Sequence, residues 1–280
     1  SQDQKDELIF NSFLKSVWVD HPYSKSILGE EENINEIELY DLHNFHKKYY
    51  IPINSCIAIA GKLPKNYLEI FNNCEFRESR KNLTDSKQIC LDNKTIKKGR
   101  EIAFFKDIEF SRIFMTWQIP YAKDQKNILG YEIISSILTD GRNSILNRSL
   151  KEEKQIVESI YSGIQPGEFG SLFIIEASLE RENLRKVEDI ISNLLQKLLT
   201  NSNLNNKIKK ALRIVKSNYI FNLETSSQLS QFYGNHLLWG RLSPQIELSN
   251  NFKYWKSTEN LRKLIKFLLK DKFTFIAHNK

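Results

Sequence analysis

The sequence predicts an α+β fold, an antiparallel sheet with helices packed on one face. Three observations carry it. Short runs at 112–120, 156–164 and 173–179 alternate apolar and polar residues, the period of a strand. Runs at 124–139 and 184–223 repeat apolar residues at three- and four-residue steps, the period of an amphipathic helix. A helix feeding a short apolar strand occurs twice. Leu42-x-x-Phe45 leads to Cys56–Ala60, and Leu261-x-x-Leu264 leads to Phe273–Ala277.

In chain order, a helix is expected over 7–19, with Leu8, Ile9, Phe13, Leu14, Val17 and Trp18 on one face. His21-Pro22-Tyr23 breaks it, because proline fixes its own backbone and extends the residue before it. Leu42, Phe45 and Tyr49 mark a second helix, ended by Pro52. Residues 62–99 are rich in Lys, Asn, Asp and Ser and read as a connection. Beyond Gly99, Ile102 and Phe104 alternate; then Ile113, Met115, Trp117 and Ile119 mark a central strand with one face in the core. Asp124 is placed to cap a helix that Asp140-Gly141 stops, since glycine enters the left-handed region without a clash. A short helix through Ile145, Leu146 and Leu150 precedes the strand at 156–164, and Gln165-Pro166-Gly167 turns the chain into its partner at 173–179. Helices over 184–198, 204–223 and 227–239 follow, and one through Leu261 and Leu264 feeds the last strand.

Composition narrows the classes. The 280 residues are 40% apolar and 27% charged, an ordinary globular balance. The net charge of +7 is scattered along the chain, which argues against nucleic acid, whose binders cluster their cations. Cys56, Cys74 and Cys90 form no C-x-x-C pair and read as packed thiols. No apolar run is long enough to span a bilayer, and no signal peptide is visible at Ser1. No Ser-His-Asp set, P-loop or G-x-G-x-x-G is present.

Three stretches resemble the pitrilysin/insulinase zinc peptidases, the family of the mitochondrial processing peptidase. His21-Pro22-Tyr23 with Ile27-Leu28-Gly29 is similar to the family's H-P-Y/L-G-x-P-I-L-G. Ile34, Ile37, Asp41, Leu42, Phe45, Tyr49, Pro52, Asn54 and Gly61 supply the residues of its next motif. Leu150 to Glu158 occupies the place of L-R-E-K-x-G-L-A-Y. The resemblance implies a processing-peptidase-like organisation: the C-terminal part of a first peptidase-like domain at 1–72, a linker at 73–99, and a complete second domain at 100–280.

It also implies where the chemistry belongs. The family holds zinc with H-x-x-E-H on a helix and a glutamate further on. This sequence contains no such motif, so no metal ligand and no catalytic residue is assigned to it. The resemblance places zinc in a full-length parent or a partner subunit. The family's arginine and tyrosine, which face the substrate and its developing oxyanion, correspond to Lys151 and Glu158. Lysine keeps the charge and loses the planar fork, whereas an ionised glutamate cannot donate at all. Tyr161, three residues on, falls on the opposite strand face from Glu158. His43 and His46 share a helix but lack further ligands for a tetrahedral site.

The expected role is therefore to wall a chamber holding a peptide or unfolded polypeptide, without catalysis by this chain. The expected partner is a second peptidase-family subunit or the N-terminal part of the parent. The alternative is a non-enzymatic peptide-binding or assembly subunit that kept the fold and lost the chemistry.

Overall fold

The computed structural model describes residues 2–73, 95–238, 240–241 and 244–280. Cys74, Cys90, Trp239 and most of the expected linker lie outside them. The chain divides into two compact units, Ser1–Ser26 with Leu91–Lys216 and Glu247–Lys280, and Ile27–Cys90 with Ser217–Ile246.

The first unit is built on a five-stranded sheet. Its strands are β1 (Gly99–Phe105), β2 (Ser111–Ile119), β3 (Ser159–Gln165), β4 (Ser171–Leu179) and β5 (Phe273–Asn279), in the order β1-β5-β2-β4-β3. β2 pairs antiparallel with β4 and β5, and β3 pairs antiparallel with β4. The pairing of β1 with β5 is parallel, a feature that alternation of side chains cannot reveal.

Register divides the side chains between two faces. Ile113, Met115 and Trp117 of β2 share one face with Phe173, Ile175 and Ala177 of β4. The helix α5 (Gln125–Thr139) lies on this face, its Tyr131 ring 5.7 Å from that of Phe173. Three hydroxyls fasten it to β3. Ser135 donates to the Ser162 carbonyl at 2.7 Å, and Thr139 Oγ1 accepts from the Ser162 amide at 3.1 Å while meeting its hydroxyl at 2.8 Å. α6 (Leu184–Thr200) buries Val187, Ile191 and Leu195, and α7 (Leu204–Phe221) buries Leu204, Ile208, Ala211 and Val215. Glu188 of α6 anchors that helix to the sheet by pairing with Arg100 and, at 3.3 Å, Lys272.

α10 (Thr258–Phe267) contacts both α5 and α6. Gly130 makes the close approach: a Cβ there would stand 2.5 Å from Leu264 Cδ1 and from the Trp255 ring. The Trp255 indole donates to the Lys126 carbonyl at 2.6 Å. Trp255 follows α9 (Pro244–Tyr254), a helix that the sequence pattern does not announce. The apolar periodicity of PQIELSNNFKY is weak.

The opposite face carries Phe114, Leu172, Ile174, Phe273, Phe275 and Ala277, all buried. It is covered by α1 (Gln2–Val17), through Ile9, Phe13 and Val17, with Trp18 just beyond. The Phe13 ring stacks on Phe114 at 4.8 Å. Polar contacts fasten the rim of this cover. Arg112 meets Asp6 at 2.5 Å and Glu176 at 3.3 Å, and Ser16 donates to Glu101 at 2.9 Å. β2 is thus buried on both faces, whereas the sequence reading gave it one. The continuous apolar run within RIFMTWQI belongs to a strand covered twice.

The second unit holds α2 (Glu31–Asn35), α3 (Leu39–Tyr49), α4 (Tyr67–Asn72) and α8 (Ser226–Leu238). Glu38 caps α3 with a capping box closed by Asp41. The expected strand at Cys56–Ala60 carries no ladder among the described residues. A strand needs a hydrogen-bonded neighbour, and sequence periodicity alone does not supply one. Cys56 instead directs its thiol to the Gly234 carbonyl at 3.1 Å.

Phe13→Ala should cost about 3–5 kcal/mol, seen as a lower Tm, because the cavity opens between helix and sheet. Gly130→Ala should also destabilise, by about 1–3 kcal/mol, against the usual gain for alanine in a helix. The Glu176 carboxyl is pushed up by burial, with Arg112 opposing the rise and Asp6 adding to it. The folded state therefore holds that proton more tightly than the unfolded state. Its contribution to stability grows as pH falls from neutrality towards the ordinary glutamate range. Glu176→Gln should be at least as stable as wild type at neutral pH and should lose this component in melts across that window. A clear loss of Tm at pH 7 would show the charged form to be the favoured one.

Candidate functional site

The segment from the end of α5 to the edge strand β3 carries the two predicted positions, Lys151 and Glu158. α5 stops as the sequence predicts, with Asp140 as C-cap and Gly141 at φ +80°. Asn147 then donates to the Thr139 carbonyl at 2.6 Å and fixes the turn. The expected second helix becomes a π-helix, Asn147–Glu153. Such widened turns are rare and recur at functional sites. Leu150 anchors this one, fully buried.

The structure brings Lys151 to Glu158. The lysine ammonium donates to the Glu158 main-chain carbonyl at 2.6 Å, and the Ile156 amide donates back to the Leu150 carbonyl at 3.0 Å. Gln155, at φ +51°, makes the reversal between them. The neighbouring charges pair among themselves: Arg142 with Glu152 and Arg148 with Glu153, each at 2.7 Å. Lys151 is thus occupied by a backbone acceptor, while the exposed Glu158 side chain offers acceptors only. The arrangement can close a loop and present a carboxylate. It does not pair two donors aimed at a developing oxyanion, which is what stabilises charge in acyl transfer.

Tyr161 lies on β3 opposite Glu176 of β4, on the sheet face that α1 covers, and is 62% exposed. Its ring lies over Gly163, where a Cβ would stand 2.2 Å from the hydroxyl. Ile160 and Ser162 point the other way and are buried. Tyr161 therefore faces away from the side to which Glu158 belongs, as strand parity predicts.

The histidines are dispersed. His43 and His46 are exposed on α3, and His46 stacks on Tyr50 at 4.8 Å. His236 packs edge-on against Phe232 at 4.4 Å, and His278 meets the Ser111 hydroxyl at 2.9 Å. Burial lowers the His278 pKa, with Arg181 adding to the effect. Among the described residues, no group of three or more His, Cys, Asp or Glu is placed to hold a metal ion. No described helix is long and apolar enough to cross a membrane.

His21-Pro22-Tyr23 acquires a structural role that sequence matching did not reveal. His21 Nδ1 caps the short turn by accepting from the Tyr23 amide at 3.1 Å, and its ring stacks on Trp18 at 4.6 Å. The Tyr23 hydroxyl accepts from the Phe169 amide at 3.2 Å, in the β3–β4 turn. A Cβ at Gly167 would stand 2.6 Å from the Tyr23 ring, so glycine is required for that approach. The motif locks the end of α1 to the hairpin. The signal available in sequence was the run of rings Trp18, His21 and Tyr23 around one proline.

Lys151→Ala should lower stability by about 0.5–1.5 kcal/mol, the net worth of one hydrogen bond, and should speed amide exchange around Ile156. Lys151→Arg should largely preserve both.

A zinc protease, PqqE, of Helicobacter pylori is 24% identical over 263 residues, covering 91% of this chain and 58% of its own length. This chain therefore spans about three fifths of that relative. A crystal structure of a protease from the same organism superposes with a TM-score of 0.76 at 21% identity, covering 97% of this chain and 66% of that one. A peptidase M16 inactive domain from Pseudomonas fluorescens gives 0.75 at 16% identity, covering 98% and 66%. At such identities the structural likenesses speak for the fold. The family model described as the peptidase M16 inactive domain matches residues 36–212, well over half of the sequence, and the chain belongs to that family.

Proposed function

We propose that this chain is the non-catalytic portion of an M16 zinc-peptidase-type protein and walls a chamber that holds a peptide or unfolded polypeptide. The observation that carries the reading is the contrast between the two units. The first has a closed core, with both sheet faces buried. In the second, no residue between 27 and 73 is buried among those described, although Leu42, Phe45, Tyr49, Ile57 and Ile59 are apolar. Such a surface at 27–73 suits part of the tail of a first peptidase-like domain at 1–72, ahead of a linker at 73–99 and a second domain at 100–280, with α1 of that tail packed on the second domain's sheet. The covering surface would be the N-terminal part of a parent protein or a second peptidase-family subunit, and zinc would be held there. Isolated apolar side chains on a surface are ordinary, whereas a contiguous set marks an interaction site.

Lys151 and Glu158 would then lie on the substrate side of the chamber as residues that replace the family's donors. The lysine's engagement with a main-chain carbonyl favours a second reading, a peptide-binding or assembly subunit that has lost the chemistry altogether. An H-x-x-E-H motif in the parent reading frame would select the first reading, and its absence the second.

The test is binding and cleavage measured on the same preparation. A labelled, unstructured polypeptide should bind in fluorescence anisotropy, with the same affinity before and after chelator, and should remain uncut with added zinc. Stoichiometric zinc in the purified chain together with chelator-sensitive cleavage would overturn the proposal. So would the absence of any polypeptide binding.

A further inference from the structure

The sheet of the first unit ends in two edge strands, β1 and β3, and the backbone treats them differently. β3 is closed at its middle. The Ser162 amide donates to Thr139 Oγ1 at 3.1 Å, and its carbonyl accepts from the Ser135 hydroxyl at 2.7 Å. Two main-chain groups that another strand would need are thus held by α5.

β1 is open. The Gly99 amide donates to the Lys272 carbonyl at 3.3 Å, and the Lys280 amide donates to the Phe105 carbonyl at 2.9 Å. In a parallel ladder one residue gives both its N–H and its C=O to one neighbour, and the next turns both the other way. The register therefore points the main-chain groups of Gly99, Glu101, Ala103 and Phe105 at β5 and those of Arg100, Ile102 and Phe104 outward. No described strand lies beyond them. The same three residues share a sheet face, on which Ile102 is 48% and Phe104 52% exposed. On the other face Ala103 and Phe105 are partly buried against the core beneath α1, and Glu101 accepts from Ser16 of that helix. The edge is therefore held rigid from behind while its outer side offers donors, acceptors and two apolar side chains.

We infer that β1 takes an extended polypeptide segment as a sixth strand, apolar at the two positions beside Ile102 and Phe104 and acidic just outside them. Main-chain hydrogen bonds hold such a strand and alternate side chains select it. The charge comes from the edge itself. Over 97–107 four cations, Lys97, Lys98, Arg100 and Lys106, stand against two carboxylates, Glu101 and Asp107. Lys97 is taken by Glu101, Lys98 by Asp271 and Arg100 by Glu188, while Arg100 stays 42% exposed and Lys106 is exposed. A second copy of the chain is a poor occupant. Antiparallel pairing of β1 with itself about Ala103 sets Arg100 opposite Lys106 twice, and like charges directly opposite destabilise a pair. The inference deepens the polypeptide-binding reading by naming the binding mode, but it requires neither zinc nor an enclosing chamber.

The test uses the full chain and a fluorescein-labelled peptide, Glu-Thr-Val-Thr-Val-Thr-Glu, with lysine replacing both glutamates in a second version. The glutamate version should bind about fivefold more tightly in anisotropy, the worth of one or two cross-strand ion pairs. Two further versions carry N-methyl groups on alternate residues, one set on Val, the other on Thr. One set should abolish binding and the other leave it, because only one edge of the added strand meets β1. Ile102→Lys should weaken binding about tenfold, since lysine guards open edges. Lys106→Glu should reverse the preference between the two charge versions. Hydrogen exchange in the free chain should be faster at the Ile102 and Phe104 amides than at Glu101 and Ala103, and the bound peptide should slow it. Equal affinity of the two N-methylated sets, an unchanged preference in Lys106→Glu, or Ile102 and Phe104 amides already protected in the free chain would overturn the inference. An unstructured polypeptide that binds while leaving these amides unprotected would overturn it too, and would leave the chamber reading standing.

Discussion

The fold depends on one constraint: the central strand β2 is apolar on both sides, so its sheet must be covered twice. α5, α6 and α10 bury one face, and α1 buries the other. Burial of apolar surface contributes about 25 cal/mol per Å². Phe114, Phe273, Phe275 and Ile174 would lose that contribution without the sixteen-residue helix at the start of the chain. α1 is followed directly by the Trp18–His21–Tyr23 cluster, which ties its end to the β3–β4 turn. A helix distant in sequence is thereby fixed at both ends, at Arg112 near its start and at the hairpin just past its finish.

Much of this was legible in the sequence. Alternation located β2, β3 and β4, and three-to-four spacing located α5, α6 and α7, because each element shows its period within a single segment. The Asp124 cap and the Gly141 stop were legible for the same reason: they are local chemistry, and the structure confirms the cap through the Asn127 amide at 3.1 Å. What stayed hidden was relational. The apolar stripe of α1 announces that a face is buried, but not that it is buried against strands a hundred residues away. The parallel pairing of β1 with β5 has no sequence period. The π-helix at 147–153 leaves no mark in composition, since NRSLKEE is equally compatible with an α-helix. In the candidate site, Lys151 and Glu158 were found by family resemblance, whereas the hydrogen bond joining them depends on a reversal at Gln155 that only the backbone shows.

The covered face also explains why two carboxylates near α1 behave oppositely. Glu101 meets Lys97 at 2.7 Å and accepts from Ser16, so its carboxyl is held below the usual range, the lysine contact contributing most. Glu176 shares Arg112 with Asp6 and is pushed up by burial. The difference is solvent. Glu101 stands near an edge strand with an ammonium of its own, while Glu176 sits in the interior of the sheet with half of a guanidinium. One arginine cannot fully compensate two carboxylates when one of them is desolvated. Asp6 is the more exposed partner and keeps its hydration, and Glu176 bears the cost.

The same reasoning separates scaffold from chemistry in the segment after α5. The groups there are satisfied within the segment itself: three hydroxyls between α5 and β3, Leu150 in the core, Lys151 on a main-chain carbonyl, and two exposed arginine–glutamate pairs along the π-helix. An active centre has the opposite character, since its donors must be held without a partner of their own so that a transition state can complete them. By that criterion the Lys151–Glu158 segment is satisfied.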